Sequence, residues 1–454
     1  MFPRAIVYLA TLPLLAALPA DDCADAIRRR KDAHRPKLSS LDNGTIAIGV
    51  DLNLGGAIAY LSKSGADDNI VNNWDWGRQI QMSHYSGPAP FKVPGKEPAK
   101  EWAQFPWNPV QAGDHFGHAA QLLDSKNDGR ELYTKCIPKQ WSLSDVPCEC
   151  TFETRIALDG PTARVRCTLT AARTDKTPFP AFDQELPAVY ANGTYHRLMS
   201  YTGVKPFTGG ELTRVQKKEG ESAGFPWARF HATERWAAQV NDAGWGLAIY
   251  QPHCVQFLGG FAGKPGTGGT KDAPTGYIAP VRTEHLDHNI AFEHEYTLIL
   301  GTLEDIRKRA NAIHGKPKLP AYDFAKNRQG WTMANATDRG WPLKGEWDVN
   351  PKAGSQLLGP VTFWRAEEAP LLKLDSAFTT EAKRARVFWA ALEDTNFTEE
   401  RSLSFPIVGD GEFRTMAVKL SDSPAYRGGL VRLRIDPGEK CEHFRIRTIA
   451  LAER

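Results

Sequence analysis

Gly44-Thr-Ile-Ala-Ile-Gly-Val-Asp51 alternates apolar with small residues, and Ala57-Ile-Ala-Tyr-Leu61 does so again. A period of two is the signature of a strand with one buried face. Working outward, similar runs recur at Phe152–Leu158, Ala163–Leu169, Gly246–Tyr250 and Tyr296–Leu300, then at Arg386–Ala390, Met416–Leu420, Leu430–Ile435 and Phe444–Leu451. With 39 glycines and 31 prolines in 454 residues, turns punctuate the chain too often for long helices. The reading is mainly β: a large antiparallel β-sandwich over 43–315, a linker at 316–320, and a smaller, jelly-roll-like β-sandwich over 321–454. One helix is expected at Thr302–His314, where Leu303, Ile306, Ala310 and Ile313 recur at helical spacing. Thr302 is placed as its N-cap, with Glu304 and Asp305 in the first turn.

The balance of 56 basic against 53 acidic residues, net +3, gives no electrostatic support for wrapping a polyanion, so no nucleic-acid partner is expected. The first 20 residues read as a cleaved secretory signal: Arg4, an apolar stretch over Ala5–Ala17, and Leu18-Pro19-Ala20 before Asp21-Asp22. That stretch is too short for a membrane span, and no later run of 18 apolar residues exists. A secreted protein, or a periplasmic one in a bacterium, is expected. Residues 21–42, rich in charge, read as a disordered leader. Four of the seven cysteines fall at Cys136, Cys148, Cys150 and Cys167, so a local disulfide is expected in an exported chain. Sequons at Asn43, Asn192, Asn335 and Asn396 would serve a glycosylating host.

Three segments interleave aromatics with hydrogen-bonding groups: Asn72–Pro88, Trp102–His118 and Phe182–Tyr190. A sugar presents an apolar C–H face and a rim of hydroxyls. Aromatic rings cover the face and polar side chains bond the rim, so this mixture points to a carbohydrate site. Glycoside hydrolysis needs one protonated and one ionised carboxyl; Glu185 and Asp75 are the expected pair. Elimination instead needs a base and a group that neutralises a uronate carboxylate; His84 and Tyr85 could be the base, with Arg78 or Arg229 opposite. Trp74, Trp107 and Tyr190 are candidate stacking residues, Arg78, Gln79 and Arg229 candidate orienting groups, and His115 and His118 a second polar cluster. The pairs His115/His118 beside Asp114 and His285/His288 beside Asp287 lack the usual zinc spacing, so no metal or other cofactor is expected, with a structural calcium left open. Gly220-Glu-Ser-Ala-Gly224 matches a hydrolase elbow, but a charged segment precedes it and Pro226 follows, so Ser222 is read as a loop residue.

Two resemblances add to this. Val408–Arg414, Met416–Ser423, Pro424–Leu430 and Leu433-Arg-Ile-Asp-Pro437 resemble the galactose-binding-like β-sandwiches of secreted carbohydrate-active proteins. Thr233–Tyr250, a strand, a tight turn at Asn241–Gly244 and a return strand, looks like the β-supersandwich of galactose-mutarotase-like and polysaccharide-lyase proteins. These resemblances imply a carbohydrate polymer or oligosaccharide as partner. Cleavage of glycosidic bonds is expected, hydrolysis ahead of elimination, and a non-catalytic glycan-binding protein is the competing class. Oligomeric state stays open.

Overall fold

The computed structural model describes residues 22–217, 226–316 and 318–453. The expected signal segment and Ser222 lie outside the described residues. The chain divides into two compact units. The first comprises residues up to Thr202, Pro206–Val281 and Leu286–His314; the second comprises Gly203–Lys205, Arg282–His285 and the chain from Gly315 onward. No described helix is long and apolar enough to cross a membrane.

The first unit is built on two large sheets. The nine-stranded sheet runs in the order Thr213–Arg214, Arg197–Ser200, Trp236–Val240, Trp245–Tyr250, Ile290–Thr302, Thr162–Ala171, Cys150–Asp159, Glu131–Ile137, Gln121–Asn127. The seven-stranded sheet runs Trp227–His231, Gln256–Ala262, Thr275–Glu284, Phe182–Asn192, Gln81–Ser83, Pro109–Val110, Lys139–Gln140. Period-two alternation sends one face of each sheet into a shared core. Phe152, Ile156, Val165, Leu169 and Leu298 come from one sheet, and Met82, Leu186, Val189, Phe257 and Ile278 from the other. The segments that opened the sequence reading form a three-stranded sheet with Leu38–Asp42.

The hairpin expected at Asn241–Gly244 is present: Val240 pairs with Gly246, and Gly244 takes the left-handed φ of +75°. The helix expected from the sequence is Leu303–His314. Thr302 Oγ1 accepts the Asp305 backbone N–H at 3.2 Å, as an N-cap should. Ile306 and Ala310 are buried against Trp236, Ala248 and Tyr250 on the outer face of the nine-stranded sheet, while Ile313 is exposed. The helix stops at Gly315, φ +64°.

The second unit is a ten-stranded sheet folded around one core. Its long strand Trp347–Leu358 passes from one side to the other: Trp347–Val349 pairs with Phe444–Ile446, and Leu357–Leu358 with Arg434–Ile435. Trp347, Trp389, Phe378 and Phe444 fill that core.

Three expectations need correction. Residues 22–42, expected as part of an unstructured leader, hold the helix Asp22–Ala33 and the strand Leu38–Asp42. The strand is ordered by full pairing with Ile46–Asp51 and by burial of Leu41. The expected local disulfide is absent: Cys136, Cys148, Cys150 and Cys167 are buried thiols. Cys136 faces Phe152, Cys150 faces Ala171, and Cys167 faces Thr154 and His294, so none of these three has a cysteine across the ladder. Burial pushes the Cys136 and Cys167 thiols up to about 12. Asn192 is buried and its amide donates to Asn69 O at 2.8 Å, so that sequon is closed in the folded chain.

Glu234 ties this unit together. Its fully buried carboxylate accepts two bonds from Arg307, at 3.0 and 2.7 Å, one from Trp236 Nε1 at 3.1 Å and one from the Phe207 backbone at 2.8 Å. Glu234→Ala would leave a mostly buried guanidinium without its partner, so urea unfolding should show a loss of about 3–5 kcal/mol.

Candidate functional site

The strand Phe182–Asn192 decides what faces outward on the seven-stranded sheet. Its pairing with Gln81–Ser83 shifts register between Glu185 and Ala188. Past that irregularity Val189 and Ala191 enter the inter-sheet core with Leu186, while Ala188 and Tyr190 join an outer cluster with Trp227, Leu258, Tyr277, Ala279 and Val281. Glu185 also faces outward, opposite Ser83.

Glu185 is 4% exposed. Tyr85 donates its hydroxyl to Oε2 at 3.2 Å, and Tyr277 donates to Oε1. Burial pushes the Glu185 carboxyl up to about 7, while the two tyrosine hydrogen bonds pull it down. The hydroxyls of Tyr85, Tyr190 and Tyr277 are held well above the usual tyrosine range, by burial first and by the Glu185 charge second. The rings form a tilted stack, Tyr190 to Tyr277 at 4.8 Å and Trp227 to Tyr277 at 4.9 Å.

A turn carries the second carboxylate. Asp75 Oδ1 accepts the Gly77 N–H at 2.8 Å, and its Oδ2 lies 3.2 Å from Arg78 Nε. Arg78 also donates to Ala273 O at 2.7 Å, and Gln79 donates to Asp75 O at 2.9 Å. The Asn72 N–H, just before this turn, donates to Tyr190 O at 3.0 Å, so the turn starts beside the strand that carries Glu185. At the sheet edge Arg229 pairs with Asp183 at 3.1 Å. Solvent reaches the cluster at Arg229, whose side chain is 40% exposed, and at Asp75, 14% exposed.

The structure thus sets Tyr85 and Tyr277 on Glu185 with Tyr190 stacked on Tyr277, holds Asp75, Arg78 and Gln79 together on one turn, and leaves Arg229 at the sheet edge. It does not bring in His84. Adjacent strand residues point to opposite faces, so His84 enters the inter-sheet core, edge-on to Phe152, Phe292 and His294. Burial lowers its pKa to about 4. Trp107 is likewise a core residue, packed between the sheets. Trp74 is exposed on the turn. His115 and His118 turn to different partners: His115 pairs with Glu101 at 3.0 Å and accepts from Trp102 Nε1 at 3.2 Å, and His118 pairs with Asp114 at 3.0 Å. Among the described residues no three His, Cys, Asp or Glu side chains are grouped to hold a metal ion.

Tyr277, Trp227 and Asp183 were missed. Asp183 was within reach, two positions before Glu185 on an alternating strand. Tyr277 and Trp227 sit in runs that read equally well as core strands.

No protein-family model matches the chain, and no curated protein matches it. Among solved structures, an aldose 1-epimerase candidate from Escherichia coli K12 is similar with a TM-score of 0.38 at 13% identity, over 59% of this chain and 100% of that one. A galactose mutarotase-like protein from Lactobacillus casei gives 0.36 at 11%, over 58% and 100%. A 4-alpha-glucanotransferase from Thermococcus litoralis gives 0.31 at 14%, over 61% and 41%. Likenesses at this level assign neither a family nor an activity to the chain.

A carboxyl titration by carbon NMR should find Glu185 with a midpoint of about 7. Tyr277→Phe removes a hydrogen bond that favours the charged form, so its midpoint should rise; an unchanged or lower midpoint would break the assigned network.

Proposed function

We propose that the first unit is a saccharide-processing enzyme that hydrolyses glycosidic bonds on the outer face of the seven-stranded sheet. One observation carries this reading: a buried glutamic acid, poised near neutrality between two tyrosine hydroxyls, beside an ion-paired aspartate and an aromatic stack. A general acid works best with a pKa near the working pH. Glu185 would give its proton to the departing glycosidic oxygen. Tyr85 and Tyr277 then donate to the carboxylate left behind, so the site needs little rearrangement as the charge forms. Asp75 would act on the opposite side of the scissile bond, as base for the attacking water or as nucleophile. Tyr190 and Trp227 would cover the C–H face of the sugar, and Arg78, Gln79 and Arg229 its hydroxyl rim. The second unit would be an accessory glycan-binding module of galactose-binding-like type.

The side chains favour hydrolysis over elimination. An eliminating base must take a proton from carbon. His84 faces the core, and the three tyrosines are held neutral by burial and by Glu185. That leaves the carboxyls of Glu185 and Asp75 as the bases of the described cluster.

The purified chain should release reducing ends from a polysaccharide panel without absorbance at 235 nm. Glu185→Gln and Asp75→Asn should each lower the rate by about 10²–10⁴-fold. Absorbance rising with reducing ends would replace hydrolysis by elimination. Retention on an affinity gel with no turnover would make the protein a glycan binder.

A further inference from the structure

We infer that the outer face of the nine-stranded sheet carries a second binding site, for a short neutral oligosaccharide, apart from the Glu185 cluster. The choice of a sugar among hydroxyl-rich ligands rests on the saccharide reading above. A cavity of about 400 Å³ opens on this face, and Arg155, Arg166, Thr168, His253, Glu293 and Glu295 line it. Strand alternation turns the charged side chains outward, because their neighbours Phe152, Cys167 and Phe292 pack into the inter-sheet core. The topology makes the cavity. The strand Trp245–Tyr250 lies beside Ile290–Thr302, but its pairing ends with Tyr250 opposite Thr297. From there to Ile290 the ladder continues on the side of Thr162–Ala171. The turn after Tyr250, where the His253 N–H donates to Gln251 Oε1 at 2.7 Å, brings His253 to the cavity instead of a strand.

The ladder also sets the spacing. Arg166 lies opposite Glu295, and Thr168 opposite Glu293. These two rungs are about 7 Å apart along the strand, with partners about 5 Å apart across it. Four hydrogen-bonding side chains thus stand at the corners of a rectangle close in size to a pyranose with its hydroxyl oxygens. Most of the charge around them is already paired. Lys135 holds Glu153 Oε1 at 2.9 Å, and Tyr133 donates to Oε2 at 3.0 Å. Arg155 pairs with Glu131 at 2.8 Å and lies over the Tyr133 ring at 4.3 Å. Arg164 takes Glu295 Oε2 at 2.7 Å, and Arg166 reaches the same oxygen only at 3.6 Å. The side chains of Glu293 and Thr168 make no hydrogen bond or ion pair among the described residues. One guanidinium, one carboxylate and one hydroxyl are therefore left for a ligand. The two charges cancel, so an ion of either sign gains no net attraction. The carboxylate needs donors and the guanidinium needs acceptors, and a sugar hydroxyl is both. The described lining offers no aliphatic or aromatic wall to an apolar ligand, and the volume lies in the range of small-ligand clefts.

The test is calorimetric titration of the full chain carrying Glu185→Gln, which stops turnover. The neutral probes are cellotriose, xylotriose and maltotriose; the charged ones are digalacturonate, a glucosamine dimer and glycylglycine. Adding Arg166→Met with Glu293→Gln should remove one bound equivalent of a neutral trisaccharide per chain, with unchanged circular dichroism. Salt should leave that equivalent in place, because the ligand carries no charge. In the chain that keeps Glu185, the same two substitutions should leave the release of reducing ends unchanged. A neutral-sugar count that the pair of substitutions does not lower overturns this site and leaves the saccharide reading standing. An equivalent lost only for a charged probe overturns the neutral ligand. Loss of the only equivalent bound keeps this site and removes the Glu185 one. Binding of no sugar overturns both.

Discussion

The register shift in the strand Phe182–Asn192 is the constraint on which the site depends. A strand has two faces, and one residue of slip exchanges them. Without the irregularity between Glu185 and Ala188, Glu185 and Tyr190 would lie on opposite faces. Tyr190 would then crowd the core where Val189 and Ala191 now pack, and Val189 would face outward. The shift lets one strand offer a carboxyl at its start and an aromatic ring further on, both toward the same side. The neighbouring strands supply Tyr277 and, from the segment after Gln81–Ser83, Tyr85.

The chemistry follows from burial. A glutamate removed from water resists ionisation, and two tyrosine hydroxyls partly offset that cost, which leaves its proton balanced near pH 7. The same burial, with the Glu185 charge, keeps the tyrosines neutral. They are donors to the carboxylate rather than bases. Folding stability is linked to this balance: between the ordinary glutamate value and about 7 the folded state holds the proton more tightly, so stability falls as pH rises through that window. The site thus draws on stability supplied elsewhere, including the Glu234–Arg307 clasp and the inter-sheet core.

Much of the fold was legible in the sequence. The alternating runs around Phe152, Ala163, Gly246 and Tyr296 all lie in strands, the Thr302-capped helix forms where its spacing places it, and the turn at Asn241–Gly244 closes the hairpin. Composition alone drew attention to Glu185 and Tyr190, which face outward from one strand, and to Asp75 and Arg78, which share the turn that starts beside Tyr190. His84 and Trp107 could not be separated from site residues because the face of a short strand is fixed only by its partners. Tyr277 escaped because nothing local distinguishes a tyrosine that serves a buried acid from one that fills a core. The order of residues 22–42 escaped because it comes from long-range docking, His34 to Asp51 and Arg30 to Phe116, which charge-rich composition does not reveal.

The most direct measurement is a crystal structure of the Glu185→Gln chain with a bound oligosaccharide. The account predicts a sugar ring over Tyr190 and Trp227, with its glycosidic oxygen about 3 Å from the residue 185 side chain. Ordered sugar confined to the nine-stranded sheet or to the second unit would contradict it.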